Sequence, residues 1–212
     1  NEYWKQPFSN KRHWCFIYDS LIELRKELKK LGQSLIVRIG SVTEIFNELS
    51  TQFKIISIYA HEETGNQWTY DRDLNVKKWS NRKNIPLIEY PTNGIVRNLK
   101  NRDDWSKIRN LRMKESLIPE PVSLMSIDEI FEGSIPKKNS PIFKNDFIGE
   151  VQKGGRSEAL KIIHSFIKNR GQNYLSNISK PGISEKTCSR ISPHLTWGTI
   201  SSKEIIKLLN LN

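Results

Sequence analysis

Three short apolar runs, Ser34-Leu-Ile-Val-Arg38, Lys54-Ile-Ile-Ser-Ile-Tyr-Ala60 and Ile85-Pro-Leu-Ile-Glu-Tyr90, alternate with helical patterns over Ser41 to Leu49 and Thr69 to Arg82. Strands that are joined through helices return to the same sheet in parallel, because a tight turn cannot reverse them. Near-continuous Ile, Val and Leu, rather than strict alternation, mark strands covered on both faces. The pattern therefore predicts an α/β fold with a parallel sheet and helices on both faces. Ahead of it, Leu21, Leu24, Leu28 and Leu31 recur at helical spacing, Glu23 and Glu27 precede Lys26 and Lys30 by one turn, and Gly32 marks the stop.

Ligands of such sheets bind beyond the carboxyl ends of the strands. The residues after the second run, His61-Glu-Glu-Thr-Gly-Asn-Gln-Trp-Thr-Tyr-Asp-Arg-Asp73, lie at that edge and combine polar, aromatic and glycine residues. They read either as the lining of a pocket or as a solvated loop in which Trp68 and Tyr70 pack on the helix and Arg72 pairs with Asp71 or Asp73. A charged helix follows around Asp103 to Glu115. From Leu117 to Gly155 the chain carries four of its nine prolines and little periodicity, as an interdomain linker does, with short helical turns expected near Ser126 to Phe131. Beyond it Ala159, Ile162, Ile163, Phe166 and Ile167 mark a strong helix. Shorter helical patterns follow around Ser189 to Trp197 and Ser201 to Leu209, so this part is all-α. The absence of an initiating Met and a last helix scarcely closed at Asn212 suggest a piece of a longer protein.

Lys and Arg total 34 against 23 Asp and Glu, and the net charge of +11 favours nucleic acid, anionic cofactors or acidic surfaces as partners. Cys15 and Cys188 stand far apart with no spacing that suits zinc, which fits a reduced, cytoplasmic protein without a metal site. No apolar run approaches the ~20 residues of a membrane span. No G-x-G-x-x-G, P-loop, G-x-S-x-G or H-E-x-x-H occurs. The four histidines are scattered, and no carboxylate is placed for acid/base work, so no catalytic residue is assigned.

One segment stands out: Thr187-Cys-Ser-Arg-Ile-Ser-Pro-His-Leu-Thr-Trp-Gly-Thr-Ile-Ser201 gathers hydroxyls and a guanidinium at a helix start. These groups hold phosphate, although Ser and Thr before Pro also mark ordinary helix starts. Together with Gly154-Gly155, Ala159, Phe166, Arg170 and Tyr174, the segment resembles the start of the flavin domain of the photolyase/cryptochrome family. Glu2-Tyr-Trp4, the Phe16-x-x-x-Ser-Leu21 helix, Gly32-x-x-Leu-x-Val37-x-x-Gly40 and Trp68-Thr-Tyr-x-Arg-Asp73 resemble its α/β domain, in the same order.

The resemblance implies a Rossmann-like α/β domain over residues 1–116 lacking its first strand, a linker over 117–154, and the truncated start of a helical FAD-binding domain over 155–212. It implies FAD as cofactor, with Tyr174, Cys188, Ser189, Arg190, Ile191 and Ser192 holding its phosphates and ribityl chain. Cys188 stands where many members have Thr. In the family, light excites reduced FAD, which lends an electron to a pyrimidine dimer flipped out of DNA, and the dimer splits. The implied partner is DNA containing pyrimidine dimers, met by a monomer. Some members hold a folate antenna through an Asn-Glu pair near where Trp68 and Thr69 stand here, so a second chromophore would be of unknown identity or absent. A cryptochrome-type blue-light photoreceptor without repair shares every residue quoted. A non-catalytic nucleic-acid-binding α/β module is the alternative from another class.

Overall fold

The structure is a computed structural model that describes residues 2–92, 94–143 and 149–210. Its elements run, in chain order, α1 (Glu2–Lys5), α2 (Lys11–Leu31), α3 (Val42–Gln52), β1 (Ile58–His61), α4 (Gln67–Lys83), β2 (Leu87–Tyr90), a 3-10 turn (Arg102–Asp104), α5 (Trp105–Lys114), α6 (Arg156–Lys168), a 3-10 turn (Arg170–Asn173), α7 (Tyr174–Asn177), α8 (Pro181–Thr187), α9 (Ser192–Thr196) and α10 (Ser202–Asn210). The described residues are thus mostly helical, with one small sheet. They form two compact units, residues 38–116 and residues 1–37 together with 117–212.

In the unit of residues 38–116, β1 and β2 pair in parallel, with Ile58 opposite Leu87 and His61 opposite Tyr90, and α4 makes the crossover between them. The helix begins at a capping box, in which the Asn66 side chain accepts from Thr69 N–H at 3.1 Å and Asn66 N–H donates to Thr69 Oγ1 at 3.2 Å. It ends at Asn84, whose φ of 54° is the left-handed conformation that Asn tolerates. Val76 and Trp79 supply its buried face. The Trp79 indole packs on Phe46 of α3 and donates to Asn47 Oδ1 at 2.8 Å.

The sheet is narrower than the sequence predicts. Residues 34–38 are not paired as a strand, because their polar groups are taken elsewhere: Val37 N–H donates to the Glu132 carbonyl at 2.8 Å, and the Leu35 carbonyl accepts from Arg25 Nε at 3.1 Å. Nor are both faces covered, since Tyr59 and Tyr90 stack on each other yet remain 64% and 52% exposed. Apolar runs report a preference for burial, and a two-stranded sheet lacks the neighbours that would satisfy it.

The other unit is organised on α2. Asn10 caps the helix by accepting from Arg12 N–H at 2.9 Å. Gly32 ends it with φ 111°, where a Cβ would also lie 2.6 Å from the Leu124 carbonyl oxygen. The aperiodic stretch after Leu117 is bound to this helix and its end: Leu124 N–H donates to Leu31 O at 2.6 Å, Trp14 Nε1 to Pro136 O at 3.2 Å, and Lys138 pairs with Asp19 at 2.6 Å. The helical turns expected near Ser126 to Phe131 reduce to one non-helical turn closed by Ile130 N–H on Ile127 O. Residues 144–148 of that stretch, like Asn1 and Asn212, lie outside the described residues. Trp14 stacks on Phe143 at 4.7 Å, while Ala159, Ile163, Ile191 and Ile200 form the helical core. The motif residue Ile191 is therefore structural as well as adjacent to the polar segment.

Candidate functional site

The Cys188 to Ser192 segment is a short bridge between two helices, and each residue in it has an identifiable anchor. Cys188 ends α8, its N–H donating to Ser184 O at 2.8 Å. The carbonyls of Cys188 and Ser189 both accept from the guanidinium of Arg170, which also donates to Ser165 Oγ at 3.0 Å and Ile162 O at 2.9 Å. Burial and then the charge of Arg190 lower the Arg170 pKa, but it remains a cation whose donors tie the segment to α6. Arg190 has φ 59°. A left-handed conformation in a non-glycine residue costs about 1–3 kcal/mol and is held only where the surroundings impose it. Gln152 helps impose it, donating from Nε2 to the Arg190 carbonyl at 2.7 Å. Ile191, 9% exposed, then plugs the core, and Ser192 opens α9.

This backbone path places Arg190 and Ser192 on the wall of a cavity of about 410 Å³, which Gln152, Pro193, Thr196 and Trp197 also line. Arg12, His13 and Phe16 of α2 form another part of the wall, with Glu150 and Val151. Arg190 Nη1 lies 2.9 Å from Glu185 Oε1 in a partly exposed ion pair. His13 is held below its usual pKa, chiefly by burial and then by the neighbouring Arg12 charge. The lining carries two guanidinium groups, an imidazole and two hydroxyls beside one carboxylate; Arg190 is already engaged by Glu185, and the Thr196 hydroxyl donates to Ser192 O at 2.9 Å.

Of the six residues expected to hold the cofactor, the structure brings Arg190 and Ser192 to the cavity. Cys188, Ser189 and Ile191 support its backbone, and Tyr174 packs edge-on against Phe166 at 5.8 Å without lining it. Sequence reasoning missed Arg12, His13 and Gln152. Nothing in local spacing joins them to Arg190, since they meet it only through tertiary packing.

A second cavity, also about 410 Å³, lies beyond the carboxyl ends of β1 and β2, lined by Glu63, Asn66, Gln67, Tyr70 and Arg97 among others. Both readings of residues 61–73, which run from the end of β1 into the first turns of α4, hold in part: they line this cavity, and Arg72 pairs with Asp73 at 2.7 Å, as well as with Glu63 at 2.9 Å. Arg97 sits over the Tyr70 ring and pairs with Glu89 at 3.2 Å. Among the described residues no cluster of His, Cys, Asp and Glu suits a metal ion, and no helix is long and apolar enough to cross a membrane.

The DNA photolyase family model matches residues 1–104, and the similarity to its members continues through the helical part that carries the Arg190 cavity. The chain is similar to photolyases and cryptochromes over nearly all of its length. It is 24% identical over 213 residues to cryptochrome DASH of Idiomarina loihiensis, covering 96% of this chain and 46% of that protein. A deoxyribodipyrimidine photo-lyase of Buchnera aphidicola is 26% identical over 226 residues, covering 97% of this chain and 45% of that one. The fold is that of the Synechocystis sp. PCC6803 cryptochrome, with a TM-score of 0.74, 20% identity, and coverage of 95% of this chain and 45% of that one. Relative to these photolyases and cryptochromes, the chain spans a little under half their length.

Proposed function

We propose that this chain is part of a light-driven, FAD-dependent DNA photolyase, in which the Arg190 cavity receives the diphosphate end of the flavin dinucleotide. The observation that carries this reading is the convergence of Arg190, Ser192 and Thr196 on one cavity within a chain similar to photolyases and cryptochromes. The residues that fit that end of the cofactor are the left-handed Arg190 and the Ser192 hydroxyl at the start of α9, groups that suit a phosphate-bearing ligand. At about 410 Å³ the cavity lies low in the ~300–1,000 Å³ range of small-molecule sites, a size suited to part of a dinucleotide. When bound and reduced, FAD supplies light-driven electron donation to a pyrimidine dimer. The chain's own residues bind and orient it. Arg190 offsets phosphate charge and Ser192 donates its hydroxyl hydrogen, while Thr196, whose hydroxyl donates to Ser192 O at 2.9 Å, holds the turn with Arg170, Gln152, Ile191, Cys188 and Ser189. Tyr174 belongs to the same wall only if the ligand extends past Phe166.

In this reading residues 1–116 belong to a Rossmann-like α/β domain, 117–154 to the interdomain linker and 155–212 to the start of the helical FAD domain. The partner is DNA containing pyrimidine dimers, met by a cytoplasmic monomer, and the net charge of +11 favours that encounter. The cavity beyond β1 and β2, with amide, carboxylate and aromatic groups, is the place for a second chromophore.

A blue-light photoreceptor without repair is the second reading, favoured by the relatives named cryptochrome DASH and, in Arabidopsis thaliana, blue-light photoreceptor PHR2. FAD titration followed by flavin fluorescence tests the site: Arg190→Asn, which keeps a residue tolerant of the left-handed conformation, weakens binding about tenfold or more. Unchanged affinity in Arg190→Asn and Ser192→Ala overturns the assignment. Removal of cyclobutane dimers from irradiated DNA by the flavin-loaded protein, in the light only, supports repair. Dimers left intact by a flavin-loaded sample select the photoreceptor.

A further inference from the structure

Helix α9 is a little over one turn long, and its residues serve two different surroundings. Pro193 and Thr196, with Trp197 just beyond, line the Arg190 cavity together with Phe16 of α2. His194 stands behind that lining, wholly buried, with its ring tilted 68° against the same Phe16 ring at 4.8 Å between centroids. The cavity wall is therefore seated on an ionisable side chain.

That seat suits only the neutral imidazole. Nδ1 lies 2.7 Å from Thr199 Oγ1, and Nε2 has no partner among the described residues. A protonated ring carries two N–H donors, and the one on Nε2 would be buried without an acceptor. Two carboxylates act on the ring, Glu23 of α2 and Glu158 of α6, and both are engaged elsewhere. Glu23 accepts from the Ser157 N–H and hydroxyl at 2.8 and 2.7 Å, and Glu158 pairs with Lys161 at 2.7 Å. Helix α9 carries no other ionisable group. Burial outweighs both carboxylates and holds the His194 pKa below 6.5.

The flanking chain confines what can move. Ile191 and Ile200 are anchored in the helical core, whereas Gly198, between them, has φ 67° and open space where a side chain would lie. Thr199 N–H donates to the His194 carbonyl at 2.9 Å, which ties the end of the turn to the buried ring.

We propose that His194 is a proton-operated latch on the Arg190 cavity: neutral, it holds α9 against Phe16 of α2, and protonated, it parts the two and widens the cavity while the helical core stays folded. The latch does not depend on which ligand the cavity takes. An open form has a solvated His194 with an ordinary pKa and so binds a proton that the closed form refuses. Opening therefore grows as pH falls below 6.5, by at most about tenfold per pH unit for one proton, and is insensitive to pH above that range.

The test is amide hydrogen exchange of the 212-residue chain on both sides of pH 6.5, corrected for the intrinsic effect of pH, together with an NMR titration of the His194 ring. The amides of Leu195, Trp197 and Thr199 are expected to lose protection on the acid side, by up to about tenfold per pH unit, while those inside α6 change less than about twofold. The His194 ring is expected to titrate below 6.5, and His194→Asn to abolish the pH dependence at α9. A parallel loss at α6 would make the event global unfolding and overturn the latch. Exchange at α9 that ignores pH, a dependence that survives in His194→Asn or is removed by His13→Asn, or a wild-type ring pKa at or above 6.5 overturns it equally. Should His194→Asn fail to fold, the wild-type comparison of α9 with α6 and the ring titration decide without it.

Discussion

The carboxylate of Glu23 on α2 closes the N-terminus of α6, accepting from the backbone N–H of Ser157 at 2.8 Å and from its hydroxyl at 2.7 Å. Gly155, just before α6, has no side chain to cap it, so the cap comes from another helix. An anionic acceptor at a helix start satisfies an orphan N–H and complements the dipole. Glu23→Ala is expected to lower unfolding free energy by about 1–2 kcal/mol and Glu23→Gln by less, measured by urea denaturation. Equal stability of wild type and Glu23→Ala would show that the contact contributes nothing.

The same junction explains Gly154 and Gly155. A Cβ on Gly154 would lie 1.9 Å from the Phe16 carbonyl oxygen, and one on Gly155 would lie 2.3 Å from Glu23 Oε2 at a φ of 100°. The first obstacle is backbone and cannot swing away. Gly154→Ala therefore costs about 3 kcal/mol or more through forced separation of the loop from α2. Gly155→Ala adds left-handed strain but meets a movable side chain, so its cost stays within about 1–3 kcal/mol. Thermal melting of the two variants checks the order.

These contacts mark the boundary of what the sequence discloses. Helices α2, α4 and α6 are legible because periodicity and stop residues are local properties of Leu21 to Gly32, of Thr69 to Arg82 and of the Ala159 to Ile167 face, although the Asn66 cap starts α4 two residues before the expected Thr69. The pairing of β1 with β2 follows from the crossover rule. Residues 34–38 mislead because apolar character does not specify a partner, and Arg25 and Glu132 take their polar groups. Tyr174 and the Cys188 to Ser192 segment are visible as a motif, but their division into cavity groups and scaffold depends on where Arg170, Gln152 and α2 pack. Arg12 and His13 carry no local signal at all.

Asn47 and Trp79 test the smaller unit. The Trp79 side chain is 2% exposed and its indole N–H has Asn47 Oδ1 as acceptor at 2.8 Å. Asn47→Leu keeps volume but leaves that donor buried without a partner, at a cost of about 1–3 kcal/mol. Hydrogen exchange at α4 amides reports the loss, and unchanged protection would mean that the indole finds another acceptor.

His194 gives the protein an acid-side weakness distinct from that of its carboxylates. It is fully buried, its Nδ1 lies 2.7 Å from Thr199 Oγ1, and its Nε2 has no partner among the described residues. Burial lowers its pKa from 6.5, and the carboxylates of Glu158 and Glu23 offset this only in part. The unfolded chain then binds a proton that the folded one refuses, so stability is present above about pH 6.5 and is lost as pH falls toward the folded value. His13, also lowered by burial, acts in the same direction, whereas Glu132 and Glu158, with pKa values below 4.5, contribute losses only in more acid solution. His194→Asn retains a polar partner for Thr199 and removes the titration. It is expected to lower stability at neutral pH through the space it opens, and to flatten the fall on the acid side of pH 6.5. Urea midpoints on that side decide: an unchanged slope in His194→Asn would assign the sensitivity to His13, which His13→Asn then removes.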